Sequence, residues 1–74
     1  MDDPKKLFGC NLKRLRQASG LSQDELALRS GLHRTYVSSV ERGNRNVSLE
    51  NIFALAAALS CDPRELLAPE KEES

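Results

Sequence analysis

The sequence predicts an all-α fold in which five short helices form a single compact domain. Its 74 residues are enough for one domain only. Apolar residues recur at three- and four-residue intervals, and no segment shows the alternating pattern of a strand. Residues that start or end helices divide the chain at Gly20, Gly31, Gly43 and the step at residues 61–63.

The first helix is predicted to begin at Pro4 and to end before Gly20. Asp3 can cap it, and Pro4 stands at the first helical position, where a missing N–H costs nothing. Gly20 supplies the left-handed conformation that commonly ends a helix. The apolar residues at helical spacing are Leu7, Phe8, Leu12 and Leu15.

A second and a third helix are predicted over residues 23–29 and 34–42. Ser22 and Glu25 have the spacing of a capping box at the start of the second helix. Gly31 lies in the connecting turn, and Gly43 ends the third helix. Two short helices joined by a glycine-containing turn form a helix-turn-helix unit. The residues expected to point inward are Leu26, Ala27, Leu32, Val37 and Val40.

Ser48 is expected to cap a fourth helix over residues 49–59. Asp62, Pro63 and Glu65 signal the start of a short fifth helix that continues to Leu67. The predicted core stripe of the fourth helix comprises Leu49, Ile52, Leu55, Ala56 and Leu59. We therefore expect a domain over residues 1–68, followed by a flexible acidic tail over residues 69–74.

Charged residues are unevenly distributed although the formal net charge is zero. Residues 1–20 carry five basic and two acidic side chains, whereas residues 62–74 carry five acidic and two basic ones. Residues 33–46 contain three arginines and a single glutamate. A basic centre and an acidic end therefore cancel, and such a protein can still present a positive surface to phosphates.

Composition argues against several other functions. The single His, with no catalytic triad, metal-ligand cluster or phosphate-binding loop, predicts neither an enzyme nor a cofactor or metal. Cys10 and Cys61 are expected to be reduced and mostly buried. No apolar run approaches the roughly 20 residues that cross a bilayer, and no secretory signal is evident. We expect a cytoplasmic protein without a membrane or small-molecule partner.

The helix-turn-helix residues belong to a longer set: Leu15-Arg16, Leu21-Ser22-Gln23-Asp24-Glu25-Leu26-Ala27, Gly31, Val37, Val40-Glu41-Arg42-Gly43, Leu49, Leu55-Ala56, Leu59 and Leu66. Over residues 7–67 the chain thereby resembles the Cro/C-repressor (XRE-type) helix-turn-helix family. Residues 31–37 and 40–49 are similar to the controller proteins of restriction–modification systems. The resemblance implies a lambda-repressor-like DNA-binding domain and a transcription regulator.

The third helix is the predicted reading element, because its two valines point inward. The guanidinium of Arg34 can bond to guanine O6 and N7 together, and Thr35 can contact a thymine methyl, a base or a phosphate. An ordinary solvated helix face is the alternative, which the lack of an acidic residue on this face disfavours. The residues expected to face the major groove are Arg34, Thr35, Ser38 and Ser39.

A second group of residues is expected to contact phosphates and so to position the protein without reading bases. Gln23 heads the second helix, whose N-terminal N–H groups suit an anion. The resemblance implies that it braces the DNA backbone and the start of the third helix; an exposed first-turn residue is the alternative. Tyr36 could bind a phosphate or simply cover the edge of the core, and His33 is expected at the surface or as an N-cap. The predicted phosphate-binding residues are Gln23, Tyr36, Arg42, Asn44, Arg45 and Asn46.

The resemblance further implies that Arg16 and Glu41 form an internal ion pair that holds the third helix. A homodimer is expected, because two recognition helices about 34 Å apart read two half-sites of a palindromic operator. Phe53 and Ala57, off the core stripe, and Leu67 are the candidate dimer surface. Alternatively, Phe53 folds back onto its own core.

The predicted function is thus a dimeric DNA-binding regulator, with RNA polymerase as a further candidate partner. A phage-type repressor and an antitoxin of the same fold are alternatives within DNA binding. A helical protein–protein interaction module is the alternative from a different class.

Overall fold

The computed structural model describes residues 3–69, a range that contains helices and no strand. The helices are α1 (Pro4–Ala18), α2 (Gln23–Ser30), α3 (Arg34–Glu41), α4 (Leu49–Leu59) and α5 (Pro63–Leu67). The prediction of an all-α, five-helix fold is confirmed, with α2 one residue longer and α3 one residue shorter than expected. Residues 70–74 of the predicted tail lie outside the described residues. No helix within residues 3–69 is both long and apolar enough to span a membrane.

Side-chain caps start four of the helices. The N-cap oxygens belong to Asp3, Ser22, Ser48 and Asp62. Ser22 and Glu25 form a reciprocal capping box, in which each side chain accepts a hydrogen bond from the backbone N–H of the other. The exception is α3, since its N-cap His33 makes no capping hydrogen bond. The position of α3 therefore depends on packing against α1 and α2.

The core lies between the helices and is almost entirely aliphatic. Two expectations about burial are wrong. Leu49 is 69% exposed, because it is the first residue of α4 and no neighbouring helix covers it. Cys10 is exposed, because helical geometry puts it on the face of α1 opposite Phe8 and Leu12. The buried apolar residues are Phe8, Leu12, Leu21, Leu26, Ala27, Val37, Val40, Leu55, Ala56, Leu59 and Leu66.

Gly9 allows α1 to cross the C-terminal end of α3 at short range. A Cβ at this position would lie 2.8 Å from the carbonyl oxygen of Glu41 and still closer to that of Val40. Both neighbours are backbone atoms, which have little freedom to move. The crossing of α1 and α3 therefore requires the absence of a side chain at position 9.

Asn11 joins α1 to the C-terminal end of α5. Its side chain is buried, and Nδ2 donates hydrogen bonds to the carbonyl oxygens of Leu66 and Ala68 at 3.0 and 2.9 Å. Its Oδ1 accepts a bond from Arg14 at 3.3 Å. Two carbonyl groups at the end of a short helix thus find partners on another helix.

Candidate nucleic-acid interface

Residues 31–33 connect α2 to α3 in a tight turn. Gly31 adopts a left-handed conformation with φ of 74°, and the next N–H, that of Leu32, donates to the carbonyl of Ala27 at 2.9 Å. Ala27 is buried at the base of this turn. The turn leaves the first residues of α3, Arg34 and Thr35, exposed to solvent.

The structure divides the predicted reading residues into two pairs. Arg34 and Thr35 are exposed, whereas Ser38 and Ser39 are half-buried. The guanidinium of Arg42 donates hydrogen bonds to the hydroxyls of Ser38 and Ser39, at 2.5 and 3.3 Å. Without DNA, the open part of the α3 surface is therefore its N-terminal end.

An acidic side chain lies beside Arg34. The Nε atom of Arg34 is 3.2 Å from Oδ1 of Asp24, and the two side chains are 63% and 74% exposed. Asp24 stands in the first turn of α2. The predicted absence of acidic residues applied to the outer face of α3 alone. The carboxylate of Asp24, on α2, lies next to that face.

Glu41 is the centre of a hydrogen-bond network that joins three helices. Nε and Nη2 of Arg16 lie 2.6 and 3.1 Å from its two carboxylate oxygens, and Nε2 of Gln23 donates to Oε1 at 3.0 Å. Arg16 also donates to the carbonyl of Leu21 at 2.8 Å. The hydrogen bond to Glu41 raises the pKa of Arg16. With side chains only 11% and 4% exposed, Arg16 and Glu41 form a nearly buried pair at the end of α3.

The partner of Gln23 is Glu41 at the end of α3, whereas the resemblance implied a contact with the start of that helix. Gln23 is half-buried at the first position of α2, and its carboxamide is directed toward Glu41. A carboxamide nitrogen carries two N–H donors. One of them remains for a second acceptor.

Tyr36 packs against the edge of the core and also contacts polar residues. Its hydroxyl accepts a hydrogen bond from Nδ2 of Asn51 at 3.1 Å. The guanidinium carbon of Arg45 lies 5.0 Å from the centre of its ring, within the range of a cation–π interaction. A surface concavity of about 340 Å³ lies beside these groups and is bounded also by Thr35 and Ser39. The loop that carries Arg45 thus adjoins the surface of α3.

The arrangement of α2, the glycine turn and α3 matches a known family. The sequence model described as Helix-turn-helix (HTH_3) matches residues 12–66. The chain belongs to this family. This match confirms the resemblance to XRE-type regulators, and the relatives described next confirm the resemblance to restriction–modification controller proteins.

Named relatives of this helix-turn-helix protein include several control proteins. C.BamHI from Bacillus amyloliquefaciens is 48% identical over 62 residues, which cover 82% of this chain and 76% of the relative. C.SmaI from Serratia marcescens is 46% identical over 65 residues, 88% of this chain and 77% of the relative.

A similar fold occurs in a controller protein of known structure. The restriction–modification controller protein C.AhdI from Aeromonas hydrophila has a TM-score of 0.82 and 60% sequence identity. The match covers 84% of this chain and 94% of that one.

The remaining predicted residues of the helix-turn-helix protein lie on its surface. Arg42, Asn44, Arg45 and Asn46 are exposed in or next to the loop between α3 and α4, and His33 is exposed at the N-cap of α3. Two of these residues, Arg42 and Arg45, carry a positive charge near α3.

Exposed apolar side chains also occur on α4 and α5. Phe53 and Leu67 are 56% and 55% exposed, and Ala57 is also exposed one helical turn after Phe53. Phe53 therefore does not fold back onto the core. Leu28 on α2 is a further exposed apolar residue, 82% accessible.

Proposed function

We propose that this helix-turn-helix protein is a sequence-specific DNA-binding regulator of transcription, and that it acts as a restriction–modification controller. The observation that carries the proposal is the exposed N-terminal end of α3, where Arg34 and Thr35 stand free of the core. The N-terminal residues of a recognition helix are those that reach base edges in the major groove. The control proteins among its relatives support the controller role.

In this proposal Arg34 reads a guanine and Thr35 reads the adjoining base. The two terminal nitrogens of Arg34 match the two major-groove acceptors of guanine, and the methyl and hydroxyl groups of Thr35 suit thymine or a phosphate. When Arg42 turns to bind the DNA backbone, it releases the hydroxyls of Ser38 and Ser39. These hydroxyls can then contribute to base reading. Reading is thus centred on the first turn of α3.

Phosphates on either side of the reading residues position the protein. The free N–H groups at the start of α2 and the second N–H of Gln23 face one strand. A second set of phosphates is contacted by the loop between α3 and α4, through Arg42, Asn44, Arg45 and Asn46. Tyr36 lies next to Arg45 and belongs to the same set. Such contacts supply affinity that depends on salt but carry no sequence information.

Specific reading of an operator requires two copies. We place the homodimer surface at Phe53, Ala57 and Leu67, so that two α3 helices address the halves of a palindromic site. A regulator bound next to a promoter acts on transcription through RNA polymerase, which is the second proposed partner. The protein then works in the cytoplasm, on the DNA itself, and needs no catalytic group.

Selection from a randomised duplex library tests this function. Wild type, Arg34→Ala and Arg45→Ala are compared at one salt concentration, with Arg64→Ala on α5 as the control for removal of a surface arginine. Arg34→Ala should lose roughly 1–3 kcal/mol per half-site and relax the preference at one guanine. Arg45→Ala should weaken binding to all sequences alike, since a phosphate contact reads no base.

Salt dependence gives an independent measurement. The logarithm of the affinity should fall with the logarithm of the salt concentration, with a slope of about −0.9 for each phosphate neutralised. Wild-type protein that binds no duplex, or binds with no dependence on salt, would refute the proposed function. An Arg34→Ala protein with the full wild-type preference would move the reading position to Thr35 and Ser39.

A further inference from the structure

The ion pair between Asp24 and Arg34 has no part in the function described so far. We propose that Asp24 is a specificity-determining residue: its carboxylate orients the guanidinium of Arg34 toward guanine and discourages that guanidinium from binding phosphates. The inference rests on the proposed role of α3 as the reading helix. It adds a residue of α2 to the groups that decide which base is preferred.

The geometry of the pair supports an orienting role. The carboxylate Oδ1 of Asp24 lies 3.2 Å from Nε of Arg34, the nitrogen nearest the aliphatic stem. A guanidinium presents five N–H donors in a fixed plane. Nε is the nitrogen nearest the carboxylate, and among the described residues the two terminal nitrogens make no hydrogen bond; these two are a pair that can bond to guanine O6 and N7 together.

A role in stability does not account for the pair. Both side chains are mostly exposed, and ion pairs between exposed residues contribute little to stability. The capping of α2 is performed by Ser22 and Glu25, so Asp24 is not needed to start the helix. What the contact does change is the set of orientations open to Arg34, a long side chain that is otherwise free in solvent.

The charge of Asp24 also acts against unspecific binding. A carboxylate next to the reading surface repels the phosphate backbone, and Arg34 can approach a phosphate freely only when it leaves Asp24. When a base edge accepts hydrogen bonds from the terminal nitrogens of Arg34, the ion pair with Asp24 can remain formed. The carboxylate therefore weakens binding to all duplexes somewhat, and weakens binding to wrong sequences more.

The test compares Asp24→Asn with Glu25→Gln as a matched control. Each variant removes one negative charge from the first turn of α2, and glutamine at position 25 preserves the capping box. The probes are the duplex selected by the wild-type protein, the same duplex with the guanine opposite Arg34 replaced, and a duplex of mixed sequence. All three are titrated at one fixed salt concentration.

Both variants should bind the mixed-sequence duplex more tightly than wild type. Only Asp24→Asn should lose discrimination at the guanine, by up to about fivefold per half-site, the upper end of the range for exposed ion pairs. In an Arg34→Ala background, Asp24→Asn should leave the discrimination unchanged, because the side chain it orients is gone.

An Asp24→Asn protein that discriminates as well as Glu25→Gln would overturn the proposal, and so would an equal loss in the Arg34→Ala background. These outcomes differ from failure of the proposed function, in which the wild-type protein itself selects no sequence. Circular dichroism confirms that each variant is folded before its binding is compared.

Discussion

The Nδ2 atom of Asn11 lies 3.0 Å from the carbonyl oxygen of Leu66, a residue 55 positions further along the chain. A second hydrogen bond from the same atom reaches Ala68. A buried polar side chain thus connects the first helix to the last. Helix α5, only five residues long, depends on this contact and on the burial of Leu66 for its position.

Asn11→Asp should lower the free energy of unfolding by about 1–3 kcal/mol, because a carboxylate offers no N–H to the two carbonyl groups. Urea denaturation followed by circular dichroism measures the change. Asn46→Asp, in an exposed loop, is the control for the chemical change itself. Equal unfolding midpoints for the two variants would show that the hydrogen bonds of Asn11 contribute nothing.

Gly9→Ala should destabilise the protein by about 1–3 kcal/mol, since the added Cβ meets backbone oxygens of α3. The direction of the change in stability is informative, because replacement of a helical glycine by alanine ordinarily stabilises a helix by up to about 1 kcal/mol. Gln17→Ala, at an exposed position of the same helix, should leave thermal stability nearly unchanged or raise it. A Gly9→Ala protein more stable than wild type would mean that α1 can move away from α3.

The helices were predictable because their signals are local. Ser22 and Glu25 are three residues apart, and Gly31 follows its helix directly, so the capping box and the turn could be recognised without tertiary structure. The positions of Cys10 and Leu49 were misjudged for different reasons. Periodicity alone places Cys10 on the outer face of α1, whereas the exposure of Leu49 depends on where the covering helices end.

The long-range contacts could not be predicted in the same way. Gly9 and Asn11 both face backbone carbonyl groups, which every residue has, so no sequence pattern marks their partners. The pairing of Arg16 with Glu41 came from family resemblance rather than spacing. The contact between Asp24 and Arg34 exists only because of the angle at which α2 and α3 meet, which sequence periodicity does not specify.

Glu41→Ala should lower the thermal midpoint strongly, because it leaves the nearly buried guanidinium of Arg16 without its carboxylate. Removing one partner of a buried pair costs about 3–5 kcal/mol, and less where solvent reaches the charge. Glu50→Ala, at an exposed position of α4, is the control. If Glu41→Ala melts like wild type but no longer binds DNA, the pair acts in recognition rather than in stability.

Phe53→Asp should shift the protein toward monomer, because a carboxylate is costly to desolvate in an apolar interface. Sedimentation equilibrium over a range of concentrations gives the mass of each species. Leu28→Asp is a matched control, since Leu28 is also an exposed apolar residue but lies on α2. A folded Phe53→Asp protein with the wild-type association constant would place the interface elsewhere.

Acid should destabilise the protein through its helix caps. Hydrogen bonds to Ser22 lower the pKa of Glu25 from its ordinary value of 4.5, and those with Arg64 lower the pKa of Asp62 from 3.8. A carboxyl group whose pKa is lower in the folded state stabilises that state fully above its ordinary pKa. This contribution is lost as pH falls through the lowered pKa.

Thermal melts should therefore be constant between pH 6 and pH 5 and should shift to lower temperature below about pH 4.5, the upper limit of this window. The Glu25→Gln protein lacks one of the titrating groups and should show a smaller shift. An identical pH profile for the two proteins would mean that the cap of α2 has no role in acid sensitivity.

Gly9 and Asn11 stand two residues apart on α1, and each determines how a different helix is attached to it. Gly9 governs the position of α3, which carries the proposed reading residues, and Asn11 governs the position of α5, which carries Leu67. In a dimer joined through α4 and α5, changes in the tilt of α1 would alter the separation of the two reading helices without altering any base contact. The spacing of the half-sites and the preferred bases could then change independently, the first through α1 and the second through α2 and α3.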